Sequence, residues 1–379
     1  MKIAIVTATR AEYCFMVPLI DRFNSDDEIE LDLIVTGTHL SEKYGYTVSE
    51  IENDGFPISH KIKILAEGNS AIDISETMSN AIFSFARCFD KDRPDGIILS
   101  GDRTETLAIA IAAMNALIPI FHLHGGEVTE GAVDDSVRHA ITKLSYLHFT
   151  TTEEYRRRVI QLGEAPDRVF NVGSLGTENI LNQELMSEYD LKNNIGIPKD
   201  SDFAVVTYHP VTLEGERYKQ DINELLKALK RHSNLFYVIT GSNADAGGEE
   251  INAMMKEFCN SNSFAVFVNN LGLKRYLSAI KYARCVIGNS SSGIMEAPIF
   301  GTPTVNIGDR QKGRIMPDTI ICSDPSQESI DYAIDRALLD GRNVTEMFGD
   351  GNTSKQIVDV IKDFLLNKRI DLKKGFYDL

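Results

Sequence analysis

Short apolar runs alternate with amphipathic stretches along the whole chain, and no other feature restricts its fold so strongly. The runs at 2–7, 30–36, 95–100, 118–123, 146–151 and 168–172 are rich in β-branched residues, as strands buried on both faces should be. Between them lie helical patterns such as 107–117 and 134–148. In the second of these, Val137, Ile141, Leu144 and Leu147 share one face. The second half repeats the alternation, with strands expected at 203–208, 235–240, 264–268, 285–287 and 304–307 and a last helical pattern at 354–366. Parallel strands need crossovers, so the alternation implies α/β architecture with parallel sheets wound right-handedly. Two such halves predict two Rossmann-like domains facing a cleft. The boundary is expected within 173–200, where the chain turns polar and ends in Gly and Pro. Ligands of open α/β sheets bind beyond the carboxyl ends of the strands, so the residues just after each strand are the ones to inspect.

The 39 Lys and Arg residues against 55 Asp and Glu give a formal net charge of −16. That balance argues against nucleic acid and anionic membranes as partners, although it leaves room for one local anion site. The five cysteines are scattered and form no C-x-x-C pair. A disulfide framework or thiolate zinc site is therefore not expected. With no signal peptide and no long apolar span in view, a reducing cytoplasm is the expected location.

The corner after the first strand, Thr7 to Tyr13, lacks the G-x-G-x-x-G of a dinucleotide site. Arg10 and Glu12 there form either a ligand contact or a helix-start ion pair. Asp102 and Arg103 follow the strand at 95–100; they fit a helix cap, or a carboxylate whose ionisation its neighbour supports. The stretch His122 to Glu127, with His124 and Glu127, leads to Asp134, Asp135, Arg138 and His139, more titratable groups than capping requires. A metal is the competing reading, but the spacing matches no H-E-x-x-H pattern. His209 lies just past a strand. Ser290, Ser291 and Ser292 form a turn before a helix expected near Gly293, whose hydroxyls and amides suit a phosphate. Glu296 is placed to meet a ribose diol, and Arg310, Lys312 and Arg314 add positive charge.

At these residues the chain resembles the UDP-N-acetylglucosamine 2-epimerase family, and within it the hydrolysing branch of bacterial sialic acid synthesis. The motifs TATRAEY, VTGTHLSEKYG, GDRTE, HLHGGEVTEG, HPVT, TGSNAD, GNSSSGIMEAP and GTPTVNIGDRQKGR match in order. The resemblance implies a glycosyltransferase-B (phosphorylase-like) fold with domains at 1–176 and 177–357 and a terminal helix at 358–379 crossing back. It also implies a reaction without metal or cofactor. A base removes the carbon-2 proton as UDP leaves carbon 1, and water adds to the glycal to give N-acetylmannosamine. By motif position His209, Asp102 and Asp134 match catalytic groups, with Glu127 or His124 standing in for a Glu that many members carry before the Gly pair. Ser290, Ser291, Ser292, Glu296, Arg310 and Asn243 match nucleotide-sugar-binding positions, and Arg10, His39 and Arg103 match residues lining the cleft. A homo-oligomer, dimer or tetramer, is implied as well.

The same chemistry on UDP-2,4-diacetamido-2,4,6-trideoxyglucose is the alternative reading. Nonhydrolysing epimerisation ranks lower, because Phe15 stands where those enzymes carry Lys. A glycosyltransferase would leave Asp102 and Asp134 without a purpose, and a nucleotide-sugar binder without turnover is the reading from another class.

Overall fold

The structure, a computed structural model, describes residues 1–68, 70–128, 133–210, 217–242, 248–368 and 370–379. The chain forms two compact units, one of Met1–Asn179 with Met347–Leu379 and one of Ile180–Glu346. The first contains strands β1 (Lys2–Thr7), β2 (Glu30–Thr36), β3 (Ile58–Ile62), β4 (Gly96–Ser100), β5 (Ile120–Leu123), β6 (Leu147–Thr150) and β7 (Val169–Asn171). Their order in the sheet is β3-β2-β1-β4-β5-β6-β7, and every pairing is parallel. The second contains β8 (Phe203–Thr207), β9 (Phe236–Thr240), β10 (Ala265–Val268), β11 (Val286–Gly288), β12 (Thr304–Ile307) and β13 (Ile320–Ser323). They are ordered β10-β9-β8-β11-β12-β13, again all parallel.

Each sheet is covered on both faces. In the first unit, Met16, Leu19 and Phe23 of helix Arg10–Asn24 pack with Ile357 and Ile361 of helix Thr353–Lys362 over one face. Phe85 and Phe89 of helix Ala71–Lys91 and the alanines of helix Thr104–Asn115 cover the other. The alanines leave no bulk between backbone and sheet, which sets that helix close. In the second unit, helices Tyr218–Arg231 and Gln327–Asp340 share one core with the sheet, and helices Glu188–Ile195 and Gly272–Tyr282 share the other.

The sequence pattern missed β3 and β13. Both are edge strands; β3 has the sequence ISHKI and no fully buried residue, so it lacks the apolar run that marks an inner strand. The helix expected over 134–148 ends at Leu144, because Ser145 turns extended at φ −88° and ψ 153°. Leu147 then opens β6 and does not extend the helix face. The chain returns to the first unit at Met347, before helix Thr353–Lys362 and the single π turn Asp363–Asn367. Ser354 fastens that return: its amide and its hydroxyl each donate to Glu178 at 2.6 Å, and Arg22 Nε donates to its Oγ at 2.8 Å. All five cysteines are free thiols. Among the described residues, no helix is long and apolar enough to cross a membrane.

A largely buried ion cluster holds the carboxyl-terminal segment of the chain. Glu164 accepts from Lys143 at 2.6 Å and from Lys374 at 2.8 Å, and lies 3.1 Å from the buried His148 Nε2. Burial pushes its pKa up, but His148 and the two lysines outweigh that and hold it at about 2. A depressed carboxylate contributes stability above its ordinary pKa of 4.5, and that stability is lost as pH falls through 4.5 toward 2. Glu164→Gln, which leaves the buried His148 and the partly exposed Lys143 and Lys374 without their carboxylate, should therefore destabilise by about 3 kcal/mol at pH 7. The gap from the native chain should narrow at pH 4, as read by urea unfolding at both values.

Candidate active site

The first unit gathers its polar groups beyond β4 and β5. Arg138, only 3% exposed, is the hub. It is carried by helix Asp134–Leu144 and donates to Glu127 O at 2.7 Å, to Asp135 Oδ1 at 2.7 Å and to Asp102 Oδ2. The turn at residue 102 and the loop at 127 are thereby tied to this helix through one guanidinium, which delocalises its charge over several acceptors. Burial draws the pKa of Arg138 down. Glu127 also accepts from Thr151 Oγ1 at 3.0 Å and lies 3.0 Å from His124 Nδ1. His124 sits at φ +65°, a strained value for a residue with a side chain, and its ring packs edge-on against Phe15. Gly126 follows at φ +81°, where a Cβ would lie 2.4 Å from Tyr155 O, so the loop needs glycine here.

Other expected site residues are placed differently. The neighbour that supports Asp102 is Arg138; Arg103 turns instead to Glu105 at 2.5 Å. Adjacent residues at a strand end point apart, and only the fold brings residue 138 to 102. Arg10 is exposed and pairs with Glu50 at 2.8 Å. Glu12 closes a capping box on Thr9, and burial raises its pKa to about 7, against the opposing pull of the Ala8 amide and Arg103. His39 is fully buried, 3.0 Å from Thr7 Oγ1 and 2.8 Å from Thr47 Oγ1. Burial takes its pKa down to about 4, so its ring is neutral at pH 7. His122 is likewise buried and held neutral, its pKa near 3 from burial; its Nε2–H donates to Gly101 O at 2.9 Å and so fixes the turn that carries Asp102. Asp134 is exposed at the helix start, where its charge acts on Arg103.

In the second unit the hub is Asn289, fully buried after β11. Its side chain accepts from the His209 amide at 2.7 Å and donates to His209 O at 2.8 Å. Its carbonyl accepts from Arg310 at 3.2 Å and Gln311 at 2.8 Å. The β8, β11 and β12 loops are thus locked together. His209 Nδ1 lies 3.3 Å from Ser242 Oγ. Gly288, at φ +137°, permits the approach of β11 to β8, since a Cβ there would lie 1.8 Å from Thr207 O. The helix expected near Gly293 is a single turn, Ser292–Met295, so hydroxyls and amides, not a long helix dipole, are what the serine turn offers an anion. Tyr276 hydrogen-bonds Ser292, which lies 3.4 Å from Ser290 Oγ. Ser291 is partly exposed beside them. Glu296 Oε2 is buried with no hydrogen-bond partner among the described residues, and burial lifts its pKa to about 7. Asn243 lies outside the described residues.

Sequence reasoning passed over Arg138 and Asn289 as site residues. Arg138 was visible as an i, i+4 partner of Asp134, but the fold pairs it with Asp135 at i, i+3. Asn289 stood beside the three serines in the same turn, where hydroxyls drew the attention.

A family profile described as UDP-N-acetylglucosamine 2-epimerase matches residues 21–362. The chain is 43% identical over 324 residues to GDP/UDP-N,N'-diacetylbacillosamine 2-epimerase (hydrolyzing) of Campylobacter jejuni, covering 85% of this chain and 84% of the relative. It is 39% identical to polysialic acid biosynthesis protein P7 of Escherichia coli over 100% of this chain and 97% of that one. It is 31% identical to the UDP-N-acetylglucosamine 2-epimerase of Neisseria meningitidis, covering 100% and 99%. Among solved structures, that of a Neisseria meningitidis UDP-GlcNAc 2-epimerase bound to UDP-GlcNAc superposes with a TM-score of 0.78 at 18% identity, covering 95% of this chain and 99% of that one. This likeness shows the expected fold, two parallel-sheet domains of the glycosyltransferase-B type.

The Glu296 environment gives a signed prediction. A carboxyl raised from 4.5 to about 7 lowers stability progressively as pH rises across that interval, because the folded state holds a proton that the unfolded chain releases. Glu296→Gln should match the native chain at pH 4.5 and exceed it by about 2–3 kcal/mol at pH 8, measured by urea unfolding.

Proposed function

Since the chain belongs to the UDP-N-acetylglucosamine 2-epimerase family, we propose that it is a hydrolysing 2-epimerase acting on a UDP-linked 2-acetamido sugar. The carbon-2 proton and the carbon-1 UDP leave together, giving a glycal and UDP. Water then adds hydroxyl to carbon 1 and a proton to carbon 2 on the opposite face, releasing the manno-configured sugar. The observation that carries this reading is the Arg138 clamp, which holds the Asp102 carboxylate beyond β4 and the Glu127–His124 pair beyond β5 on one rigid support. Such a carbon acid is weak, so a positioned base must act while the leaving group departs.

In this reading Asp102, Glu127, His124 and Asp134 of the first unit and His209 of the second supply acid–base groups. Arg138 positions Asp102. The Ser290–Ser292 turn and Arg310 take the diphosphate, whose departing charge their donors stabilise. Glu296, protonated near neutrality, has an unsatisfied oxygen to offer a ribose hydroxyl. Arg103 contacts the sugar nucleotide. The free thiols suit a reducing cytoplasm, and the resemblance suggests a homo-oligomer.

UDP-N-acetylglucosamine, giving N-acetylmannosamine for sialic acid, is the first substrate. UDP-N,N'-diacetylbacillosamine is the second, favoured by the 43% identity to an enzyme named for that sugar. Both share the reacting carbons and differ at carbons 4 and 6. Incubation with each in deuterated water, followed by NMR, separates the readings. Free manno sugar deuterated at carbon 2 together with UDP is expected, and the substrate with the higher kcat/KM is the native one. A UDP-manno sugar in equilibrium with substrate would instead mean nonhydrolysing epimerisation. Asp102→Asn and His209→Ala should each lower kcat by about 10²–10⁴-fold, and unchanged rates in both would refute the assignment.

A further inference from the structure

We propose a second site, apart from the acid–base cluster, in which Asp32, His60 and Asp92 hold one divalent transition-metal ion of the zinc type. One ligand atom from each residue lies within 4.8 Å of those of the other two. Asp32 is the telling member. It is the third residue of β2, it is 1% exposed, and neither of its carboxylate oxygens has a hydrogen-bond partner among the described residues. A buried carboxylate with both oxygens unsatisfied is costly unless a cation or proton answers it. The register of the sheet turns it toward the others. Asp32 and Ile34 share a face of β2, and Ile34 pairs with His60 on β3, past a shift in register between Leu33 and Ile34. Helix Ala71–Lys91 covers that face and ends at Asp92.

The distances suit a small cation. Zinc bonds of about 2.0–2.2 Å place neighbouring ligand atoms of a tetrahedron about 3.3 Å apart. His60 Nε2 lies 3.0 Å from Asp92 Oδ2 and 3.7 Å from Asp32 Oδ1, one on each side of that value. Lys2 is the cation already present, and it uses the other oxygens: it pairs with Asp92 Oδ1 and stands 3.9 Å from Asp32 Oδ2 and 3.8 Å from Glu30. The atoms that face His60 are therefore separate from those that face Lys2. His60 and Asp92 are partly exposed, which gives an ion a way in and a water the fourth position.

An imidazole with two carboxylates selects zinc, cobalt or nickel over magnesium and calcium, which prefer all-oxygen sets. The site lies toward the amino ends of β1 and β2, where Lys2 and Glu30 begin their strands, whereas Asp102 and Glu127 follow carboxyl ends. The ion's role is thus structural: it fastens the edge strand β3 to β2 and to the end of the covering helix.

Calorimetric titration of the metal-stripped full chain with zinc chloride should show one equivalent bound, and zinc should raise the thermal midpoint. Asp32→Asn and His60→Gln should each weaken binding at least tenfold and abolish the rise in midpoint. Asp92→Asn, at a half-exposed helix end, repeats the test if either of the others fails to fold. Cobalt(II) should give a visible spectrum without a thiolate charge-transfer band. The proposal is overturned by no stoichiometric zinc uptake, by binding unchanged in the variants, by a thiolate band, or by magnesium binding as tightly as zinc.

Discussion

A parallel strand reaches its neighbour only through a crossover that covers one face of the sheet, and every other feature of both units descends from that constraint. With both faces covered, strand side chains are committed to the core. Polar chemistry is left to the loops at the strand ends, and all carboxyl ends of one sheet lie along one edge. Asp102 follows β4, Glu127 follows β5, His209 follows β8, Asn289 follows β11 and Arg310 follows β12. Each is polar because the chain leaves the core there, and each has a definite position because the strand before it does not move.

Within that frame, two polar hubs turn separate loops into sites. Arg138 draws its three acceptors from segments 102, 127 and 135. Asn289 uses its side-chain amide and its own carbonyl to join residues 209, 310 and 311. Both hubs are buried and well bonded, which is how a buried polar group stays affordable. The contrast is Glu296, whose buried Oε2 lacks a partner among the described residues and whose burial raises its pKa to about 7. Unsatisfied polarity at a strand end is an invitation to a ligand, and it trades stability for that readiness. Asp32 presents the same condition far from that edge, with the same physical meaning.

The charge of −16 takes its meaning from position. Arg10 and Arg103, cleft-lining residues by resemblance, pair with Glu50 and Glu105. Arg310 is turned partly inward to the Asn289 carbonyl. In the proposed reading, anion binding by the second unit rests more on hydroxyls and amides of the serine turn than on a concentration of positive charge.

The sequence by itself determined the α/β class, the two-unit parallel architecture, nearly all inner strands and the positions after them where chemistry gathers. Those follow from apolar runs and turn residues, which are local signals. It did not reveal the edge strands β3, whose sequence ISHKI carries no apolar run, or β13, only four residues long, although it did mark the edge strands β7 and β10. Nor could it assign partners. That Arg138 and not Arg103 supports Asp102, that His39 is walled in and neutral, and that Asp32 meets His60 and Asp92 are consequences of register and crossover. Only tertiary structure decided them, since an ion pair depends on distance in space, and residues 36 apart in the chain acquire that distance only when the sheet closes around them.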